Sequence, residues 1–149
     1  MRNGIVLGIA LSTLACTGEN LAPIQQSPAQ EAPASYPGVV RVDATHYRVA
    51  RATRDGFYER PETFTGDTRI VTVADSGADR GVLLVGVQAG GTLDALGFRE
   101  GDLVEVINGY DAWVPQQAIE AYVALRNADH VTIEVRRGGQ GVVLNYDIK

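Results

Sequence analysis

One cysteine, Cys16, in a chain of 149 residues leaves no partner for an intrachain disulfide. Histidine is almost as scarce. His46 and His130 are the whole supply, and with no His-x-x-x-His or Cys-x-x-Cys spacing the sequence assembles no metal or cofactor site. Both read as solvated side chains, one in an early turn and one opening a strand. Asp75-Ser76-Gly77 lacks the Gly-x-Ser-x-Gly elbow of a serine nucleophile, and a local Asx turn accounts for it. Cationic residues are outnumbered, 13 Lys and Arg against 18 Asp and Glu, for a formal net charge of −5. That balance argues against nucleic acid or anionic headgroups as partners. Arg48, Arg51, Arg54 and Arg60 gather, but Asp43, Asp55, Glu59 and Glu62 intersperse them, the pattern of a solvated helix face. Of the carboxylates Glu100, Asp102 and Glu105, Asp102 is placed to bond turn amides and the others read as surface. These absences leave no catalytic constellation, and the chain reads as a non-enzyme.

Long apolar runs are missing too. Residues 5–14 form a stretch of about ten, too short for a hydrocarbon core of ~30 Å. With Arg2 ahead of it and small residues before Cys16, it reads as a signal peptide over residues 1–15. Thr13-Leu14-Ala15-Cys16 resembles a lipoprotein processing box, although leucine and threonine are exchanged from their commoner places. This implies a lipid on Cys16 that anchors the mature chain to a membrane. Thr17 in the next position points to the outer membrane. The alternative is an ordinary signal peptide cut between Ala10 and Ala15.

Residues 16–38, carrying Pro23, Pro28, Pro33 and Pro37 among Gln, Ala and Ser, read as a disordered tether. About 20 residues of such chain reach roughly 25 Å as a random coil. Folding is expected from Val39 onward, in one domain and without internal repeats.

Within that domain, Val39, Val40 and Val42, then Tyr47 and Val49, predict an early strand broken by a turn over 43–46. Thr53 is placed to cap a helix that carries Phe57, Tyr58 and Phe64 inward, weakened by Gly56 and Pro61. Strands follow over 69–73 and 82–87. Glycine turns at Gly90-Gly91 lead to a short segment capped by Thr92. Pro115 opens the best helix, residues 116–127, with Ala118, Ile119, Tyr122 and Leu125 at core-facing spacing. Val114 before it supplies no capping hydroxyl. Val131, Ile133 and Val135 alternate in one closing strand and Val142, Leu144, Tyr146 and Ile148 in the other, joined across Gly138-Gly139.

The richest stretch is Leu96-Gly97-Phe98-Arg99-Glu100-Gly101-Asp102-Leu103-Val104-Glu105-Val106-Ile107-Asn108-Gly109. Gly97 can end a helix in the left-handed conformation, Gly101-Asp102 turns the chain, 103–107 is an apolar strand, and Asn108-Gly109 is a strong hairpin signal. This Leu-Gly-x-x-x-Gly-Asp pattern resembles that of bacterial PDZ domains. Tyr47-Arg48-Val49, Arg69-Ile70-Val71, the loop and strand over 81–90, the helix over 115–126 and the strand from Val131 are similar to the C-terminal periplasmic PDZ region of the type II secretion C component. The resemblance covers roughly the last ~105 residues and implies an α+β fold: a small, partly open β-barrel capped by two helices. It divides the chain into an N-terminal strand-helix extension, 39–66, and a PDZ domain, 67–149.

Peptide binding by strand addition is what the resemblance implies for function. The expected edge is residues 82–87, with the helix over 116–127 as the opposite wall. Amides around Arg80, Gly81 and Val82 would form a nest for a carboxylate, and Leu83, Val85, Gln117, Ala121 and Ala124 would line the groove. Only Gly81 stands where many relatives carry two glycines, so a groove that accepts an internal strand, or one that binds nothing, stands open beside one that takes a free C-terminus. Three readings follow. The first is a lipid-anchored periplasmic interaction module contacting secretion channel components or exported cargo. The second is an adaptor that delivers peptides to an envelope protease, and the third is a self-associating lipoprotein.

Overall fold

Alternation of apolar with polar residues builds the central hairpin: β7 (His130–Arg137) runs antiparallel to β8 (Gln140–Ile148), with Val131 opposite Tyr146 and Val135 opposite Val142. The computed structural model describes residues 35–74, 77 and 79–149, all in the compact unit Glu31–Lys149. The signal peptide, Cys16 and most of the expected tether lie outside the described residues.

Two short strands precede the first helix, as the broken apolar pattern predicts: β1 (Val39–Arg41) and β2 (His46–Val49). Asp43 Oδ1 accepts the Thr45 N–H at 2.8 Å in the turn between them. β2 then pairs in parallel with β8, placing Val49 beside Ile148. Residues 39–66 therefore do not stand apart from the rest, because Tyr47, 1 % exposed, is among the most deeply buried side chains. Helix α1 (Arg51–Glu59) starts two residues before the expected cap, after Ala50, and Thr53 Oγ1 instead donates to Pro37 O at 3.0 Å. Pro61 ends it and opens α2 (Pro61–Thr65) at a position where its missing N–H costs no hydrogen bond.

Strands β3 (Arg69–Val73) and β4 (Gly81–Val85) follow, then α3 (Thr92–Ala95), β5 (Leu103–Ile107), β6 (Tyr110–Asp111) and α4 (Pro115–Leu125). Thr92 does not cap α3: Gly91 holds that place, and the Thr92 hydroxyl donates to Thr63 O at 3.0 Å, tying α3 to α2. Asn108 at φ 49° and Gly109 at φ 84° turn β5 into β6, as the Asn-Gly pair predicts.

The sheet runs β1-β2-β8-β7-β5-β4-β3, with β6 paired to β5. The mixed α+β class is as expected. The strands do not close into a barrel, and four helices are present among the described residues, α1 and α2 belonging to the N-terminal extension. Tyr47 and Tyr146 stack at 5.5 Å in the core with Val49, Leu96, Phe98 and Leu144. Gly97, at φ 89°, is needed twice over: a Cβ there would also strike the Tyr47 ring.

Candidate functional site

Five residues rich in β-branched side chains, Arg69-Ile70-Val71-Thr72-Val73, make β3, the last strand of the sheet. Among the described residues its only strand partner is β4. The Leu84 N–H donates to Asp102 O at 2.9 Å and Leu84 O accepts from the Gly101 N–H at 3.1 Å, so both backbone groups of Leu84 face away from β3. Leu84 stands opposite Ile70. By the alternation of an antiparallel ladder, Arg69, Val71 and Val73 bond to β4, while Ile70 and Thr72 turn their N–H and C=O outward. Among the described residues those outward groups have no hydrogen-bond partner. Ile70 and Val71 are 55 % and 45 % exposed, so the open backbone edge is flanked by uncovered apolar side chains.

The expected edge is corrected by the same geometry. β4 is flanked by β3 on one side and β5 on the other, so residues 81–85 present no open ladder. Gly81 lies opposite Val73 and Val82 opposite Val104, which places two of the three residues expected to form a carboxylate nest inside the ladder. Gly81 is glycine because a Cβ there would meet Val104 O and Leu103. Arg80 is exposed, with its guanidinium 5.2 Å from the Trp113 ring centroid. Leu83 and Val85 are half-buried, with their backbone groups directed to β3. Two neighbouring amides do converge on a carboxylate, but elsewhere: Gly86 and Val87 N–H both donate to Glu100 Oε2 at 2.7 Å.

On α4 the expected inward face is rotated. Ala121 is 1 % exposed, whereas Ile119 and Tyr122 are 61 % and 54 % exposed, so Ala121 is a packing residue and not a groove wall. A methyl side chain lets the helix lie closer to the core than a tyrosine could. Gln117 is also turned in, its Oε1 accepting the Asp111 N–H at 2.8 Å, and Ala124 faces solvent. The structure thus does not gather the eight expected peptide-binding residues into one groove. The edge strand was missed because composition alone cannot tell an outer strand from an inner one.

Two further features were hidden in the sequence. His46 Nε2 and His130 Nδ1 each lie 3.0 Å from a carboxylate oxygen of Asp147, so neither histidine is simply solvated. The hydrogen bond with His130, then that with His46, lowers the Asp147 pKa. A cavity of about 250 Å³ lies between α1, α2 and α4 and the strands behind them. On its wall, burial raises the pKa of Tyr58, whose hydroxyl donates to Tyr122 O at 3.1 Å.

The solved structures this fold resembles are PDZ domains. One is the PDZ domain of EpsC from Vibrio cholerae, with 18% identity over 64% of this chain and 91% of that one, at a TM-score of 0.49. Another is the PDZ domain of the pullulanase C protein of the type II secretion system from Klebsiella pneumoniae, solved in complex with fatty acid. It has 23% identity over 63% of this chain and 97% of that one, at a TM-score of 0.42. No protein-family model matches the chain, and no curated protein does. At these identities the likeness is one of fold, and no residue role passes through it.

Proposed function

We propose that this chain is a PDZ-type protein-interaction module of the cell envelope, non-enzymatic and held at a membrane by a lipid on Cys16. Its partner, a component of a secretion machinery or an exported cargo, adds an extended segment as a strand along β3. The observation that carries this reading is the unpaired edge: Ile70 and Thr72 offer outward N–H and C=O groups beside exposed apolar side chains. Main-chain pairing there supplies affinity, and side chains at every second position of the partner supply selectivity. The lipid anchor and the periplasmic setting rest on the leader and the solitary cysteine.

Amide hydrogen exchange on the full chain tests the edge. In the free protein Ile70 and Thr72 should exchange fast, and Val71 and Val73, bonded to β4, slowly. A purified secretion-channel component or cargo protein should slow Ile70 and Thr72. Thr72→Pro should abolish that binding without melting the sheet, since it removes an N–H that has no partner among the described residues. A partner that binds while Ile70 and Thr72 still exchange fast overturns the assignment.

A further inference from the structure

β3 carries a single charged residue, Arg69, at the start of its open edge. Arg69 is exposed and forms no ion pair among the described residues. The carboxylates next to it along the chain and across the ladder are engaged elsewhere. Asp67 Oδ2 accepts from Gln88 Nε2 at 3.1 Å, and Glu100 Oε2 holds the Gly86 and Val87 N–H groups just beyond Val85, the ladder partner of Arg69. At the other end of the edge, Arg80 lies over the Trp113 ring. The cation that an added strand meets on β3 is therefore Arg69. The formal net charge of −5 is spread over the whole chain, whereas screening limits exposed charges to partners within ~8–10 Å. Direct cross-strand neighbours stand inside that range, with Cβ atoms ~4.5–5.5 Å apart.

The apolar side chains of the strand complete the pattern. Cross-strand pairs share a face of the sheet, so Arg69 and Val71 lie on one face with Val85 and Leu83, and Ile70 lies on the other with Leu84. Leu84 is buried in the core, and Ile70 extends that apolar face to the open edge. Antiparallel addition is the more stable pairing per residue, and it lets Ile70 and Thr72 each exchange N–H and C=O with one partner residue. Arg69 and Val71, whose own groups turn to β4, then occupy the non-hydrogen-bonded places, where facing side chains come closest.

On the reading of β3 as the strand-addition edge, we propose that the partner segment pairs antiparallel and carries an acidic residue directly after two apolar ones. The apolar pair lies opposite Val71 and Ile70 and the carboxylate opposite Arg69, which makes Arg69 the residue that selects the partner by charge.

Nuclear resonance titration of the full chain with end-blocked peptides tests the proposal. The first contains Thr-Val-Ile-Glu, the second Thr-Val-Ile-Lys, the third Thr-Ser-Ser-Glu and the fourth the reversed order Glu-Ile-Val-Thr. The first should shift the Ile70 and Thr72 amides and bind at least about threefold more tightly than the second, the scale of one cross-strand ion pair against a like-charge pair. The third and fourth should bind more weakly than the first. Arg69→Glu, in a protein whose melting shows that it is folded, should reverse the preference between the first two peptides, and Arg69→Gln should abolish it. Thr72→Pro should weaken all of them, whatever their charge. If the first two peptides shift Ile70 and Thr72 with equal affinity, or if the preference survives Arg69→Gln, selection by Arg69 is overturned while the open edge stands. A reversed peptide that binds as tightly as the first overturns the antiparallel order. If no peptide binds, or the shifts fall away from β3, the proposed segment is wrong, and hydrogen exchange with an intact partner judges the edge by itself.

Discussion

Arg137 reaches from β7 to the fully buried carboxylate of Asp102, its Nε donating to Oδ1 at 2.8 Å and its Nη2 to Oδ2 at 2.7 Å. The same Nη2 donates to Gly97 O, and the Arg99 N–H donates to Asp102 Oδ2 at 2.9 Å, so one carboxylate locks the turn after α3 onto the central hairpin. Hydrogen bonding to Asp102 raises the Arg137 pKa, so the guanidinium stays charged. Arg137→Ala should cost about 3 kcal/mol, the lower end for a broken buried pair because the arginine is itself partly exposed. Adding Asp102→Asn should recover part of that loss by removing the stranded charge. Urea denaturation of the two variants checks both statements, and a single variant as stable as the parent contradicts them.

Tyr146→Phe should cost about 1–3 kcal/mol, because Leu96 O would lose the hydroxyl that donates to it at 2.7 Å inside the core. Burial holds the Tyr146 pKa well above its ordinary value of 10.0. The folded pKa is raised, so this contribution is present below pH 10 and is lost as pH climbs toward the folded value. Alkaline titration of stability should be steeper for the parent than for the phenylalanine variant.

At Asp147 the sign is reversed. Its folded pKa lies below the ordinary 3.8 because His130 and His46 hydrogen-bond the carboxylate. The stability it contributes is therefore present above about pH 4 and lost as pH falls through the folded value. Asp147→Asn should flatten the acid limb of a stability profile measured between about pH 5 and pH 2. An unchanged acid limb would show that the two histidines do not act through this carboxylate.

Ala121→Glu should destabilise the fold severely, since it forces a longer and charged side chain into a site 1 % exposed. Ile119→Glu, two residues earlier on the exposed face, should change stability by no more than about 0.5 kcal/mol. Thermal melts of the pair test the rotated register of α4.

Cys16 supplies the test of anchoring. Metabolic labelling with a fatty-acid analogue should mark the parent chain, and Cys16→Ser should be unlabelled and released from the membrane fraction. Label that persists in the variant would sink the lipid anchor.

Much of the local structure was legible because it is dictated over a few residues. The Asn108-Gly109 turn needs two positive φ values, Pro115 suits only a first turn, and the alternation from Val131 to Ile148 admits one hairpin register with its apolar face inward. The α4 face was misjudged by one residue. Ala118 and Leu125 belong to either helical stripe, and only the closeness of the packing selected Ala121 over Tyr122 as the inner residue. The Thr53 and Thr92 caps failed for a similar reason, since each hydroxyl found a carbonyl outside its helix, at Pro37 and Thr63.

Residue order thus determined which segments are strands, where they turn and that a single cysteine closes no intrachain disulfide. Only the tertiary structure decided that β2 lies in parallel beside β8, that β4 is enclosed while β3 has an open edge among the described residues, and that His46, His130 and Asp147 meet. Those relationships join residues as far as 101 positions apart. A strand's own pattern specifies its two faces, but its two edges carry the same N–H and C=O groups whatever the side chains. Which edge remains unpaired is settled when the whole sheet assembles.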